Sequence, residues 1–287
     1  MTLDEAAPPR LRRSRGEMLR ELGLVVGLYM AYSATRLAAS GSWDVAKAHA
    51  RGILGFERWL GIDVEHSLNH ALAQHTSLEV LSSYWYQSAH FLVTPTLLVV
   101  LFFRRPTVYK PARTALIAAT VLALFGYFFF PTAPPRLLGE YVDTVSESAA
   151  YGWWPTAEQQ AASGANSVTN QVAAMPSMHV GWALWVSLVL AVLARRTWLK
   201  IAAFGYVTTT ALVVTVTGNH WVLDAVAGAG LVLVVSWVCA RSYGLWPRRE
   251  PAAAERTPTF ATADDEPFAL ASSVEPPPEL DSDASRD

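Results

Sequence analysis

The sequence has few cysteines and few charges. Cys239 is the only cysteine among 287 residues, which excludes an intramolecular disulfide and a cysteine-based metal site. Only 16% of the residues are charged, whereas soluble domains carry about a quarter. The basic residues do not form a stripe interleaved with aromatic residues, so no nucleic-acid partner is expected. The chain is instead rich in apolar residues, which make up 52% of it.

Six apolar segments are each long enough to cross a bilayer, which takes about 20 residues. They lie at about 21–39, 79–103, 114–130, 177–194, 198–217 and 221–240. The first follows a basic stretch, so a cleaved signal peptide is the alternative to a membrane helix there. An uncleaved helix is favoured because the apolar run is longer than the core of a signal peptide.

Residues 41–78 mix apolar side chains with charged ones, among them Glu57 and Glu65. This mixture is typical of one or two amphipathic helices lying on a membrane surface. The predicted fold is therefore an all-α integral membrane protein. It has six transmembrane helices and an amphipathic interfacial segment after the first.

Basic residues predict the orientation. Lysines and arginines cluster in 1–20, 104–113 and 195–200 and again after the last span. With six spans these segments share one side, which the positive-inside rule makes cytoplasmic. The protein is then a multi-pass protein of the cell membrane with both termini in the cytoplasm. The segments 41–78 and 131–175 and the turn at 218–220 are extracytoplasmic.

Three regions follow from this organisation. Residues 1–20 are predicted to form a basic cytoplasmic N-terminus, and 21–243 a six-helix membrane catalytic domain. Residues 244–287 are rich in proline and acidic side chains. Such a composition cannot bury enough apolar surface to order itself, so a disordered cytoplasmic tail is expected there.

The segment 217–224, Thr-Gly-Asn-His-Trp-Val-Leu-Asp, holds the first candidate site residues. If a helix begins at Asn219, His220 and Asp224 lie on one face, within reach of each other. Three interpretations remain open. The imidazole attacks an electrophile such as phosphorus while Asp224 holds its other N–H. Alternatively, both bind a metal together with His179, or Asn219 or Asp224 only caps a helix.

The segment Pro176-Ser177-Met178-His179 begins the fourth predicted span on the same side of the membrane. Proline suits the first turn of a helix, where free N–H groups and the Ser177 hydroxyl make an anion site. A protonated His179 can donate to a leaving oxygen. The alternative is that Ser177 caps the helix and His179 packs against a neighbour. Two histidines at one membrane face favour the anion site.

Arg136 is the only lysine or arginine in 131–175. It follows three prolines that stiffen the exit from the third span, and a bidentate clamp on phosphate is one role for it. Pairing with Glu140 or Asp143 is the other.

Two further features lie within the spans. His90, in the second, is either functional or a hydrogen-bonded core histidine. A run of small residues after Asp224 predicts close helix contact beside the site; it contains Ala225, Ala227, Gly228, Ala229 and Gly230.

The segments 174–179 and 218–224 resemble the second and third signature motifs of the type 2 phosphatidic acid phosphatase superfamily. The segment 131–136, Pro-Thr-Ala-Pro-Pro-Arg, is more similar to its inositolphosphoryl-transferase branch, the group containing inositol phosphorylceramide synthase. The resemblance spans about residues 80–240. It implies that His220 is the nucleophile, Asp224 its partner and His179 the acid for the leaving group.

The sequence departs from the phosphatase branch at two positions. Leu98 stands where that branch has a lysine, with six residues between it and an Arg-Pro pair, and Val214 stands where it has an arginine, six positions before the nucleophile. Other cations must replace these if phosphate is to bind, which favours the transferase-like branch and a role for Arg136.

The sequence thus predicts a phosphoric ester hydrolase or phosphotransferase that acts on a lipid phosphate ester through a phosphohistidine, without metal or cofactor. His220, His179 and Asp224 are the catalytic candidates, and Arg136 and Ser177 the phosphate-binding ones. The expected partners are the bilayer, a membrane lipid phosphate and, as acceptor, water or a polyol such as inositol. The alternative is a non-catalytic transporter or binding protein for a phosphorylated lipid.

Overall fold

The computed structural model describes residues 14–38, 43–156, 158–159 and 171–244. Within these ranges the chain is helical and has no β-strand, and Thr132 and Ala173 form an isolated bridge. The α-helices are α1 (Arg15–Ala38), α2 (Trp43–Leu60), α3 (Glu65–Ala73), α4 (Thr76–Arg104), α5 (Pro106–Phe129), α6 (Thr144–Glu147), α7 (Met178–Leu193), α8 (Thr197–Val216) and α9 (Val222–Ser242). Short 3-10 turns lie at Pro135–Leu137 and Ser148–Tyr151.

Four helices, α4, α5, α8 and α9, are long and apolar enough to cross a membrane. Helix α7 is apolar but has only 16 residues, or about 24 Å at 1.5 Å per residue, which is less than the hydrocarbon core of a bilayer. The all-α prediction is confirmed for the described residues, and four of the predicted spans correspond to helices that are candidates for crossing a membrane. The full count of six stays a prediction.

Helix α5 begins earlier than the sequence suggested. A basic connection was expected at 104–113, but α5 starts at Pro106, directly after α4. Proline fits this position because the first helical N–H has no partner to lose. Arg113 therefore lies inside α5, where it pairs with Glu21 of α1. The other Glu21 oxygen accepts the Tyr109 hydroxyl at 2.8 Å, which holds α1 against α5.

The main core joins α4, α5, α7 and α9. Its buried members include Leu101, Leu116, Trp185, Val186 and Val232. The close contact predicted for the small-residue run is found at Gly228 of α9, where an added Cβ would come within 2.1 Å of the Ser177 carbonyl oxygen. The start of α7 is thereby pressed against α9.

Helices α2 and α3 pack over the end of the bundle at which α7 and α9 begin. Helix α2 buries Ala46, Ala50, Ile53, Leu54 and Glu57; its apolar members form a cluster with Ala133, Tyr141, Val172 and Trp221. In α3, Asn69 accepts the Val142 N–H at 2.8 Å and donates to the Val216 carbonyl at 3.0 Å. This amide joins the long loop to the end of α8.

The charged residues of the 41–78 segment are not all at a surface. An amphipathic helix on a membrane would leave its charges exposed, but Glu57 and Glu65 are 0% and 1% exposed. Both of these carboxyl groups accept backbone N–H groups from α9, and the amphipathic interfacial segment stays a prediction. The burial of the two carboxyl groups gives this end of the bundle a polar interior.

Two predicted regions fall largely outside the described residues. Of the basic N-terminus, residues 1–13 lie outside them, and α1 begins at Arg15. Of the acidic tail at 244–287, only Gly244 lies within them.

Candidate active site

His179 and His220 lie side by side at the end of the bundle over which α2 and α3 pack. Nε2 of His220 is 3.3 Å from Nδ1 of His179, and the two ring centroids are 5.4 Å apart. His179 is the second residue of α7, and His220 lies in the turn that joins α8 to α9. Two segments forty residues apart therefore bring their imidazoles into direct contact.

The backbone fixes the tautomer of His220. Its Nδ1 atom lies 2.9 Å from the carbonyl oxygen of Ala174. Because a carbonyl can only accept, Nδ1 carries a proton, and in the neutral imidazole Nε2 then keeps its lone pair. The lone pair faces His179, so the nitrogen that can act as a nucleophile is the one beside the second imidazole.

Asp224 is close to His220 but makes its hydrogen bond elsewhere. Its Oδ2 is 3.4 Å from Nδ1 of His220 and accepts the backbone N–H of Trp221 at 2.9 Å. The capping role that the sequence left open is therefore present, at Trp221. The carboxylate remains near enough to stabilise positive charge on the imidazole.

The helix begins later than the spacing suggested. Helix α9 starts at Val222 and not at Asn219, so His220 precedes it and shares no helical face with Asp224. Gly218 takes a φ of 66°, a left-handed conformation that glycine adopts without a steric cost. The turn that follows directs the His220 ring towards Ala174.

The start of α7 keeps free hydrogen-bond donors. The N–H of Ser177 donates to the Asp224 carbonyl at 2.9 Å, but those of Met178, His179 and Val180 have no acceptor in the described part of the chain. The Ser177 side chain is fully buried and its hydroxyl has no partner there either. Unpaired donors at a helix N-terminus are suited to an anion.

The start of α9 is different, because three carboxyl groups take its first N–H groups. Trp221 donates to Asp224 at 2.9 Å, Val222 to Glu65 at 2.7 Å and Leu223 to Glu57 at 2.8 Å. Burial raises the pKa of Glu57 to about 8, and the nearby Glu65 and Asp224 raise it as well. These three donors are therefore not available to a phosphate.

Arg136 contacts the turn that carries His220. Its Nε donates to the Asn219 side chain at 2.9 Å, and its Nη1 pairs with Asp143 at 3.2 Å. Its backbone N–H donates to the Gly218 carbonyl at 2.9 Å. Of the two ion pairs that the sequence allowed, the one with Asp143 forms. Nη2 makes no hydrogen bond to a described residue.

Two rings of α4 complete the surroundings of His179. The Tyr86 ring stacks on it with centroids 4.5 Å apart, and the His90 ring meets it edge-on at 4.4 Å. The sequence does not indicate that His90 and His179 are in contact. No spacing rule connects the two, because only the packing of α4 on α7 brings them together.

Among the described residues, no group of three or more histidine, cysteine, aspartate or glutamate side chains is arranged to hold a metal ion.

Comparison with known proteins identifies the family. The model of the PAP2 superfamily matches residues 51–238, which is more than half of the chain and includes every candidate site residue named above. The comparisons with curated proteins and with solved structures found no match. The chain belongs to the PAP2 superfamily.

Proposed function

We propose that the protein is a membrane lipid phosphatase or phosphotransferase in which His220 becomes phosphorylated. The superfamily generally comprises phosphatases, so membership indicates a phosphoric ester as substrate, and the apolar helices favour a lipid one. The observation that carries the histidine mechanism is the bond from Nδ1 of His220 to Ala174 at 2.9 Å. It leaves the Nε2 lone pair available beside His179.

In the first step, Nε2 of His220 bonds to phosphorus and the bond from phosphorus to the lipid oxygen breaks. His179, as the imidazolium, gives its proton to the departing oxygen. The negative charge of the phosphate favours this protonated form. Nε2 of His220 and Nδ1 of His179 are 3.3 Å apart, and the phosphoryl group has to come between them. The two rings therefore separate when substrate binds.

In the second step, the oxygen of an acceptor attacks phosphorus and the N–P bond breaks. His179 now takes the acceptor's proton. The phosphorylated imidazole carries positive charge while Nδ1 keeps its hydrogen, and the Asp224 carboxylate at 3.4 Å stabilises that charge.

The phosphate oxygens bind at the start of α7. The free N–H groups of Met178, His179 and Val180 favour this position, as does the unpaired Ser177 hydroxyl. Arg136 supplies the positive charge. It binds phosphate through Nη2, or through Nη1 after that atom gives up its bond to Asp143. The N–H groups of Trp221, Val222 and Leu223 at the start of α9 take no part, since each already donates to a carboxyl group.

The site faces the extracytoplasmic side of the cell membrane in this proposal, and both termini are cytoplasmic. The argument is the distribution of basic residues: Arg195 and Arg196 lie between α7 and α8, at the end of the bundle opposite to His179 and His220.

Water and a polyol such as inositol are the two candidate acceptors. Transfer to inositol is favoured by Leu98 and Val214, which replace the two cations of the phosphatase branch. The test is to supply a phospholipid labelled at phosphorus, with and without inositol. Label in free phosphate indicates a phosphatase, and label in a phosphorylated inositol indicates a transferase.

The same assay tests the role of His220. His220→Ala is expected to abolish turnover, vanadate to inhibit it and a chelator to leave it unchanged. Full turnover by His220→Ala would end the proposal. A non-catalytic transporter of phosphorylated lipids would instead release no label in any arm, and its transport would survive His220→Gln.

A further inference from the structure

Two buried glutamates hold the first turn of α9 from outside that helix. Oε1 of Glu57, in α2, accepts the Leu223 N–H at 2.8 Å, and Oε1 of Glu65, in α3, accepts the Val222 N–H at 2.7 Å. Each bond joins residues more than 150 positions apart in the chain. The two carboxyl groups are 0% and 1% exposed, so both bonds are shielded from water.

These bonds fix the backbone directly after His220. The N–H of Trp221 is held by Asp224, and the next two N–H groups are held by Glu65 and Glu57. Three consecutive donors are thus bound by carboxylates from three different helices. A buried N–H without an acceptor is costly, so removing either glutamate favours movement of this turn away from its present position.

We propose that Glu57 and Glu65 are positioning residues for His220, which hold its ring against Ala174 and His179 by fixing the first turn of α9. The inference rests on the function proposed above. It assigns a task in that reaction to helices α2 and α3. The two carboxyl groups act on the backbone after His220 and touch neither histidine ring.

The geometry separates this role from substrate binding. Burial leaves no surface on either carboxyl group for a polyol or a lipid head group. Their second oxygens, both named Oε2, are also buried and have no partner among the described residues. The first oxygen of each accepts one N–H. A glutamine has an equivalent carbonyl oxygen and can take over this acceptor role.

The test compares Glu57→Leu and Glu65→Leu with Glu57→Gln and Glu65→Gln in the full-length protein. Hydrolysis of phosphatidic acid in detergent micelles is measured as kcat and KM. The leucine variants are expected to lose at least about tenfold in kcat, with KM within about twofold, because the nucleophile is displaced while the phosphate site at α7 remains. The glutamine variants are expected to stay within about threefold of the wild type.

Glu79 provides the matched control. It is a buried glutamate of α4, 5% exposed, and no described contact joins it to α9. Glu79→Leu measures the general effect of replacing a buried glutamate with leucine, and Glu79→Gln that of removing a carboxyl group. Equal losses of kcat in the Glu57, Glu65 and Glu79 leucine variants would overturn the proposal.

Hydrogen exchange gives a readout that does not require a folded leucine variant. The amides of Val222 and Leu223 should exchange slowly in the wild type and in both glutamine variants, because their acceptors are kept. Rapid exchange in the wild type would overturn the proposal, as would glutamine variants as impaired in kcat as the leucine ones. A wild-type protein that is inactive on every lipid phosphate would instead overturn the proposed function. Slow exchange at Val222 and Leu223 in that protein would still show that the first turn of α9 is fixed.

Discussion

The Nδ1 atom of His220 lies 2.9 Å from the carbonyl oxygen of Ala174 and 3.4 Å from the Asp224 carboxylate. The shorter contact sets the tautomer, and the longer one acts mainly through charge. Two tasks that one carboxylate usually performs for a catalytic histidine, orientation and charge stabilisation, are thus divided here between a backbone carbonyl and a side chain.

Asp224→Asn separates the two tasks of Asp224. Asparagine keeps an oxygen that can accept the Trp221 N–H, now held at 2.9 Å, but it has no charge to stabilise a phosphorylated His220. We expect kcat on a lipid phosphate to fall by about a hundredfold, or about 2.7 kcal/mol, with the thermal unfolding temperature close to that of the wild type. A variant as fast as the wild type would reduce Asp224 to a helix cap.

Gly228→Ala tests the contact between α7 and α9. A Cβ at this position would lie 2.1 Å from the Ser177 carbonyl oxygen, so the start of α7 and His179 with it have to move. We expect a lower unfolding temperature and a loss of at least about tenfold in kcat. Gly230→Ala is the control, because no atom lies within 4 Å of its added Cβ. Equal behaviour of the two variants would contradict the account.

Arg136→Lys tests whether the guanidinium group is needed at the phosphate site. Arg136 contacts Asn219 and Asp143 at once, and an ammonium group cannot reproduce this planar arrangement. We expect KM for a lipid phosphate and the inhibition constant of vanadate to rise by about tenfold. Arg58→Lys should change neither, since Arg58 forms an exposed pair with Asp63. An unchanged KM in Arg136→Lys would leave phosphate binding to α7 alone.

Glu57 makes stability depend on pH. Burial raises its pKa from the usual 4.5 to about 8, so the folded protein keeps a proton that the unfolded chain releases near pH 4.5. The free energy of unfolding therefore falls as pH rises from about 4.5 to about 8. Glu57→Gln has no proton to lose, and its unfolding temperature in detergent should fall less over this window. An equally steep fall would show that other groups cause it.

The sequence predicted those parts of the molecule that local spacing and composition encode. Four of the apolar segments correspond to helices long enough to cross a membrane. The small-residue run pointed to the close approach at Gly228, because glycine alone leaves room for another backbone there. Both histidines lie beside helix starts on one predicted side of the membrane, so the sequence predicts that they are neighbours.

Other parts of the site could not be predicted because their signals are not local. The acceptor for His220 is the backbone carbonyl of Ala174. Every residue has a backbone carbonyl, so residue identity does not show which one accepts. Glu57 and Glu65 look like the exposed charges of an amphipathic segment until the packing of α2 and α3 shows them buried. His90 reaches His179 only through the contact between α4 and α7.

The most direct test of the central claim is to quench the reaction with a lipid phosphate labelled at phosphorus and to examine the protein itself. The expected result is a protein-bound label that is stable in alkali and lost in acid, as a phosphohistidine is, and that maps to His220. His220→Ala should carry no label, and His179→Ala should accumulate it when the substrate has an activated leaving group. Turnover by the wild type without any labelled protein, or label retained in His220→Ala, would contradict the account.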